Sequence, residues 1–294
     1  MTPVIPRASI EFVPARRPSL IRDAIRRHPT VAVGLLVLAL MTVAAVFAPW
    51  LGTIDPQKIS PIERLRFPSV AHWFGTDMLG RDVYSRTIYG ARISLTVGIV
   101  VALLTTVVGL AIGIVAGFFR TIDSIVMRVM DGLMSIPPVL LAIALVTLTR
   151  ANLWNVIFAV TISEVPRMSR LVRSVVLTIR EQPFVEAAVA AGTRLPAILW
   201  RHILPNTLAP VFVQGTYVFA SAMITEAILS FIGAGTPPNI PSWGNIMAEG
   251  RSLFQVAEYI LIFPGIFLSL TVLAVNFIGD GLRDALDPRL ARRM

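Results

Sequence analysis

Residues 93–119 read ISLTVGIVVALLTTVVGLAIGIVAGFF, 27 consecutive positions without a charge, bracketed by Arg92 and Arg120. At about 1.5 Å per residue, a helix of this length outreaches the ~30 Å hydrocarbon core of a bilayer, so it tilts or projects beyond it. Within the run, Gly109, Gly113 and Gly117 stand four apart on one face. Small residues at that spacing let helix backbones approach closely, which drives association where lipid removes the hydrophobic drive. Packing inside the chain and contact with another subunit both fit this ladder. No strand precedes the glycines, so they are not a dinucleotide site.

Other apolar runs lie on either side. Residues 31–50 carry no charge over 20 positions, and 132–149, 209–232 and 260–278 form further spans, the second of these runs bearing Pro137 and Pro138 near its start. The weakest is 153–163, only 11 residues before Glu164, which needs continuation through Pro166 to Leu171. Glu164 with Arg167 then marks a membrane boundary. The run at 31–50 is too long for a cleaved signal peptide, and Pro49 stands where a cleavage site would fall.

Charge parity tests a count of six. With the N-terminus inside, 18 of the 26 lysines and arginines fall in cytoplasmic segments and 8 outside, six of those in the 51–92 loop, where four acidic residues nearly balance them. Five spans would place either 183–206 or the arginine-bearing C-terminus (Arg289, Arg292, Arg293) outside. Six spans with both ends inside agree better with the positive-inside rule. The expected fold is all-α and integral to the membrane: a cytoplasmic tail at 1–30, one six-helix domain at 31–290, and a short tail at 291–294.

Composition agrees. The 294 residues are 55% hydrophobic and 15% charged, with mean hydropathy +0.75, where soluble domains carry nearer a quarter charged residues. The net charge of +9 clusters at the edges of apolar runs, which is a topogenic pattern and not a nucleic-acid footprint. There is no cysteine, and the only lysine, Lys58, has no glycine nearby, so a phosphate-binding P-loop is excluded. If the chain transports actively, a partner handles the ATP.

Residues 186–206 read EAAVAAGTRLPAILWRHILPN. Pro183 can open a helix with a slim alanine body, and Gly192 suits the left-handed cap that ends it. Thr193 can N-cap a second short helix that runs to Leu204 and stops at Pro205. Arg173, Arg180, Arg194, Arg201 and His202 flank this bent knob and keep it in water beside the membrane. The string resembles the EAA loop by which permease subunits of bacterial ABC importers dock onto their ATPases. The matching positions are Glu186, Ala187, Ala188, Gly192, Leu204 and Pro205.

Three more strings carry the same resemblance, specifically to the dipeptide, oligopeptide and nickel branch of that family. They are GTDMLGRDVYSR at 75–86, SFIGAGTPPNIPSWGNIMAEGR at 230–251 and GDGLRDALDPRL at 279–290. In the first, Asp77, Arg81, Asp82 and Arg86 are close enough for an ion-pair web, with Gly75 and Gly80 supplying turns. The resemblance implies a type I importer permease fold in the bacterial cytoplasmic membrane, working by alternating access. It implies a homologous second permease, two ATPase subunits that bind ATP and magnesium, and an extracytoplasmic binding protein. No cofactor is expected in this chain. Asp77, Arg81, Asp82 and Trp243 are candidates for contact with the binding protein.

Glu226 is the one ionisable group well inside the fifth span, and such a residue faces protein or water. Lining or gating the pathway and a structural hydrogen bond are both open to it. Asn276 and Asp280 in the sixth span are treated alike. The three histidines, His28, His72 and His202, form no metal-ligand spacing with acidic residues. A secondary transporter working alone would place more ionisable residues at the midplane and gives no reason for the knob. An intramembrane enzyme would need a convergent nucleophile and base or a metal, and neither is present. Peptides are the expected solute, with nickel chelates, glutathione or another small solute as alternatives.

Overall fold

The computed structural model describes residues 29–148 and 152–286. Most of the N-terminal tail, the C-terminal tail and Arg289, Arg292 and Arg293 lie outside the described residues. Among those described the chain is helical, with one isolated antiparallel bridge between Thr76 and Asp82.

Helix α1 spans Pro29–Val46 and α2 spans Val83–Phe118, 36 residues. Asp82 starts α2 by accepting the Ser85 backbone N–H at 2.7 Å, which satisfies one of the orphan donors of the first turn. Helix α2 is about 54 Å long, well beyond the ~30 Å hydrocarbon core of a bilayer. Its glycine face packs against α5, Leu153–Arg180. A Cβ on Gly109 would overlap the Met168 side chain, one on Gly113 would lie 2.5 Å from Val172 Cβ, and one on Gly117 2.8 Å from Val176 Cβ. The ladder is therefore consumed inside the chain. Gly113→Val should force α2 and α5 apart at a cost of about 1–3 kcal/mol or more, read as a lower melting temperature of the purified permease.

The run at 132–149 is broken at its two prolines, and far more sharply than a kink. Helix α3, Arg120–Met134, and helix α4, Pro138–Thr147, meet at 88°. Pro137 bars the helical conformation at Ile136, and Pro138 opens α4 at its first position, so two prolines in series make a corner. Helix α4 is about 15 Å long and cannot cross alone. In α3, apolar Ile122, Ile125, Val129 and Leu133 recur every three or four positions opposite Arg120, Asp123 and Arg128, the pattern of a helix lying along an interface.

Helix α5 continues through Pro166, as the weak fourth run required. Glu164 does not mark a boundary: it sits 11 residues along this helix with its side chain 2% exposed. The short helix α6 covers Pro183–Ala190, α7 covers Leu195–Ile198, and α8 covers Leu204–Phe231. Pro205 does not stop the chain. Residues 199–203 form a π-helical turn in which the Leu204 N–H reaches Leu199 O, five residues back, and Pro205 lies in the first turn of α8. The wider turn accommodates the missing N–H and the ring that a regular helix would reject. Arg194, not Thr193, holds the cap position before α7, without a side-chain capping bond.

Helix α9, Trp243–Gly250, is capped by Ser242, and α10 spans Tyr259–Leu286. Four helices are long and apolar enough to cross a membrane, namely α1, α2, the continuous run Leu195–Phe231 and α10, and the α3–α4 pair makes up to five. Helix α5 is long enough for the sixth, but its charges hide it from a hydropathy test. The core lies between α2, α5 and α8, where Val97, Val101, Val156, Val160, Val172, Val218 and Leu229 are buried together.

Candidate functional site

On the arginine-rich side, α6 and α7 form a knob standing on the ends of α5 and α8. Helix α6 ends in a Schellman cap: the Gly192 N–H reaches Val189 O and the Thr193 N–H reaches Ala188 O, each at 3.0 Å, with Gly192 at φ +72°. Val185, Ile198 and Ile203 are buried in the cluster that holds Ile179 of α5, so the knob is seated on the bundle. Its outer surface carries Glu186, Ala187 and Gly192, together with exposed Phe184, Val189 and Trp200, the last 74% accessible. Leu204 is half-buried and Pro205 exposed. Below the knob, Arg180 donates to Gly117 O at the end of α2, and Arg173 grips the Asp123 carboxylate of α3. The hydrogen bonds from Arg173 hold the Asp123 carboxyl below the usual carboxylate range.

On the opposite side, the string at 75–86 does form an ion-pair web, closed by a residue the sequence reading missed. Asp77 accepts from Arg81 Nε and Arg86 Nη1, each at 2.6 Å; Glu249 of α9 accepts from Arg81 Nη2 at 2.6 Å and from Arg86 Nη2 at 2.9 Å. Asp82 stands apart from it, accepting from Ser85 and lying 2.9 Å from His72 Nδ1. Gly75 and Gly80 take positive φ values of 76° and 73°, and a Cβ on Gly80 would overlap the Ser60 carbonyl. Trp243 is fully buried, donating from Nε1 to Thr87 O at 2.9 Å. Asp77, Asp82 and Trp243 are thus inside the protein and Arg81 nearly so, which corrects the expectation that they touch a partner directly. They shape the outer surface from beneath.

Glu226 is also fully buried. Its Oε1 accepts from Ser230 Oγ at 2.8 Å and Ser242 Oγ at 2.9 Å, while Asn245 Nδ2 ties Thr236, Pro237 and Ile240 around it. It pins the outer loop to the end of α8 and lines no open space here. Asn276 is half-buried on α10, one turn before Asp280, which accepts from Tyr217 Oη at 2.5 Å. No group of three or more His, Cys, Asp or Glu among the described residues could hold a metal.

A helical bundle with a seated, partly apolar cytoplasmic knob and a braced outer loop matches one class of protein. Residues 109–292 match the family described as binding-protein-dependent transport system inner membrane component, and 19–68 match the N-terminal transmembrane domain of oligopeptide transport permease C. The chain belongs to this family of ABC importer permeases, and it is a transport component of the inner membrane that works with ATPase and binding-protein partners. Among its relatives is a probable peptide ABC transporter permease of Sinorhizobium fredii, 55% identical over 91% of this chain and 92% of the relative. The dipeptide transport system permease of Alkalihalophilus pseudofirmus is 41% identical, over 90% and 88%. The glutathione transport system permease of Pectobacterium atrosepticum is 41% identical, over 92% and 90%. The inward-facing MetNI methionine ABC transporter shares the fold, with TM-score 0.55 at 20% identity, over 69% of this chain and 97% of the MetNI chain.

Proposed function

We propose that this permease carries di- and oligopeptides across the bacterial cytoplasmic membrane by alternating access. The ATP and magnesium are bound by two separate ATPase subunits, which seat on the knob at 183–206, and a homologous second permease completes the pathway. The observation that carries this reading is the knob itself. A capped helix pair rooted in the core, with Phe184, Val189 and Trp200 exposed to water, is suited to fill a groove on another protein. Glu186, Ala187, Ala188 and Gly192 supply its slim face, and Leu204 and Pro205 join it to α8. Peptides are favoured as solute because a relative named for peptide transport is 55% identical, against 41% for the one named for glutathione, at nearly equal coverage of the chain.

The test is reconstitution with co-expressed neighbouring subunits in proteoliposomes. Candidate solutes are presented by the binding protein, and ATP hydrolysis and uptake are measured together. A dipeptide should stimulate both. Stimulation by glutathione or a nickel chelate but by no simple peptide would move the solute to the alternative, and uptake on an ion gradient without ATP would reject the importer reading.

A further inference from the structure

Two helices independently place a polar group at the middle of the membrane. Counting from the outer end of α5, Glu164 lies 11 residues in, about 16 Å deep at 1.5 Å per residue, near half the ~30 Å hydrocarbon thickness. Counting up α8 from its cytoplasmic end, Ser221 is the 18th of 28 residues. The two meet: Ser221 Oγ donates to Glu164 Oε1 at 2.8 Å. The other carboxylate oxygen faces Arg167 Nη1 at 3.4 Å. Glu164 is hidden, whereas the Arg167 side chain is 52% exposed, so the surface presented at this depth is cationic.

That exposure needs an explanation. A guanidinium at this depth does not face lipid, and long side chains escape by reaching toward the nearer interface. Arg167 cannot do so here. Helix side chains lean toward the N-terminus, which for α5 is the outer end, so Arg167 points back to Glu164 and away from the cytoplasm. Its surroundings are therefore aqueous or protein. A cleft of about 420 Å³ lies nearer the cytoplasmic ends of the same helices, a turn away from Arg167, which is not part of its lining. Leu171, one turn beyond Arg167, lines it, as do Tyr217 and Gln214, one and two turns below Ser221, and Arg283 of α10.

We propose that this face is a wall of the solute pathway and that Arg167, held by Glu164 and Ser221, is its mid-membrane contact for an anionic group, the terminal carboxylate of a passing peptide. The carboxylate assignment rests on the peptide reading above; the cationic wall does not. The two are separable because the chain has no cysteine of its own. In the assembled importer, Ser221→Cys and Ile224→Cys should react with membrane-impermeant methanethiosulfonates, while Val107→Cys, 65% exposed on α2, should not. At Ser221→Cys the anionic reagent should gain on the cationic one. Adding Arg167→Gln should shift each reagent's rate by roughly fivefold in opposite directions, the size of one charge ~4 Å away in water, and so the ratio by up to roughly thirtyfold. Failure of both cysteines to react, with and without ATP, would overturn the wall; an unchanged ratio would overturn the role of Arg167.

The second arm compares uptake of a dipeptide with that of its C-terminal amide, each saturating the binding protein. Arg167→Gln should lower uptake of the free acid about tenfold relative to the amide, with stimulated ATP hydrolysis retained. Equal loss for both would overturn the carboxylate contact, and loss of complex assembly would make Arg167 an interface residue for the second permease instead. A wild-type importer that moves neither probe, yet shows the thiol pattern, would sink the peptide reading and leave the cationic wall standing.

Discussion

Glu186→Lys and Gly192→Asp are each expected to leave the permease in the membrane at normal abundance while uptake falls by roughly thirtyfold. Both residues are exposed, and a Cβ on Gly192 meets nothing within 4 Å, so neither change disturbs packing. Gly192 does sit at φ +72°, where a side chain costs about 1–2 kcal/mol, too little to unfold a cap whose neighbours are anchored by Val185 and Ile198. The effect arises at the docked surface, where reversing or adding one charge in a seated contact costs 2 kcal/mol or more. Binding-protein-stimulated ATP hydrolysis should lose its dependence on solute. Normal uptake in both variants would remove the docking role from 183–206.

Arg86→Ala is expected to cost about 3–5 kcal/mol and to deplete folded permease from the membrane. Arg86 is fully buried, and its removal leaves Asp77 and Glu249 sharing Arg81 alone, an uncompensated negative charge away from bulk water. The double variant Arg86→Met with Glu249→Gln restores neutrality, because Asp77 and Arg81 still pair at 2.6 Å. It should recover at least half of the loss in melting temperature. Single and double variants that are equally unstable would show that restoring charge balance does not recover the fold, and would overturn the uncompensated-charge account.

Legibility in the sequence followed the range of the interaction. The left-handed cap at Gly192 and the cap at Asp82 are local, and their residue types announce them. The span at 93–119 announces itself by length alone. The fourth span was faint because Glu164, Arg167 and Arg170 dilute it, while the helix itself runs unbroken from Leu153 to Arg180. The corner at Pro137 and Pro138 was visible as two prolines, but its 88° bend was not, since the angle is set by what α3 and α4 pack against. The π turn before Pro205 left no signal, because a wide turn and a helix stop predict the same proline. Glu249 closes the web from 163 residues away, a pairing that one sequence cannot disclose. For the same reason Asp77 and Trp243 read as surface residues when they are interior.

The unbroken path from Leu195 to Phe231 has a mechanical consequence. A hinge between knob and span would absorb a displacement of α7 locally; a continuous helical rod transmits it as torque. If an ATPase seated on the knob displaces α7, as proposed above, turning that rod would sweep Gln214, Tyr217 and Ser221 through a common arc, carrying the motion to the bilayer's centre through one axle.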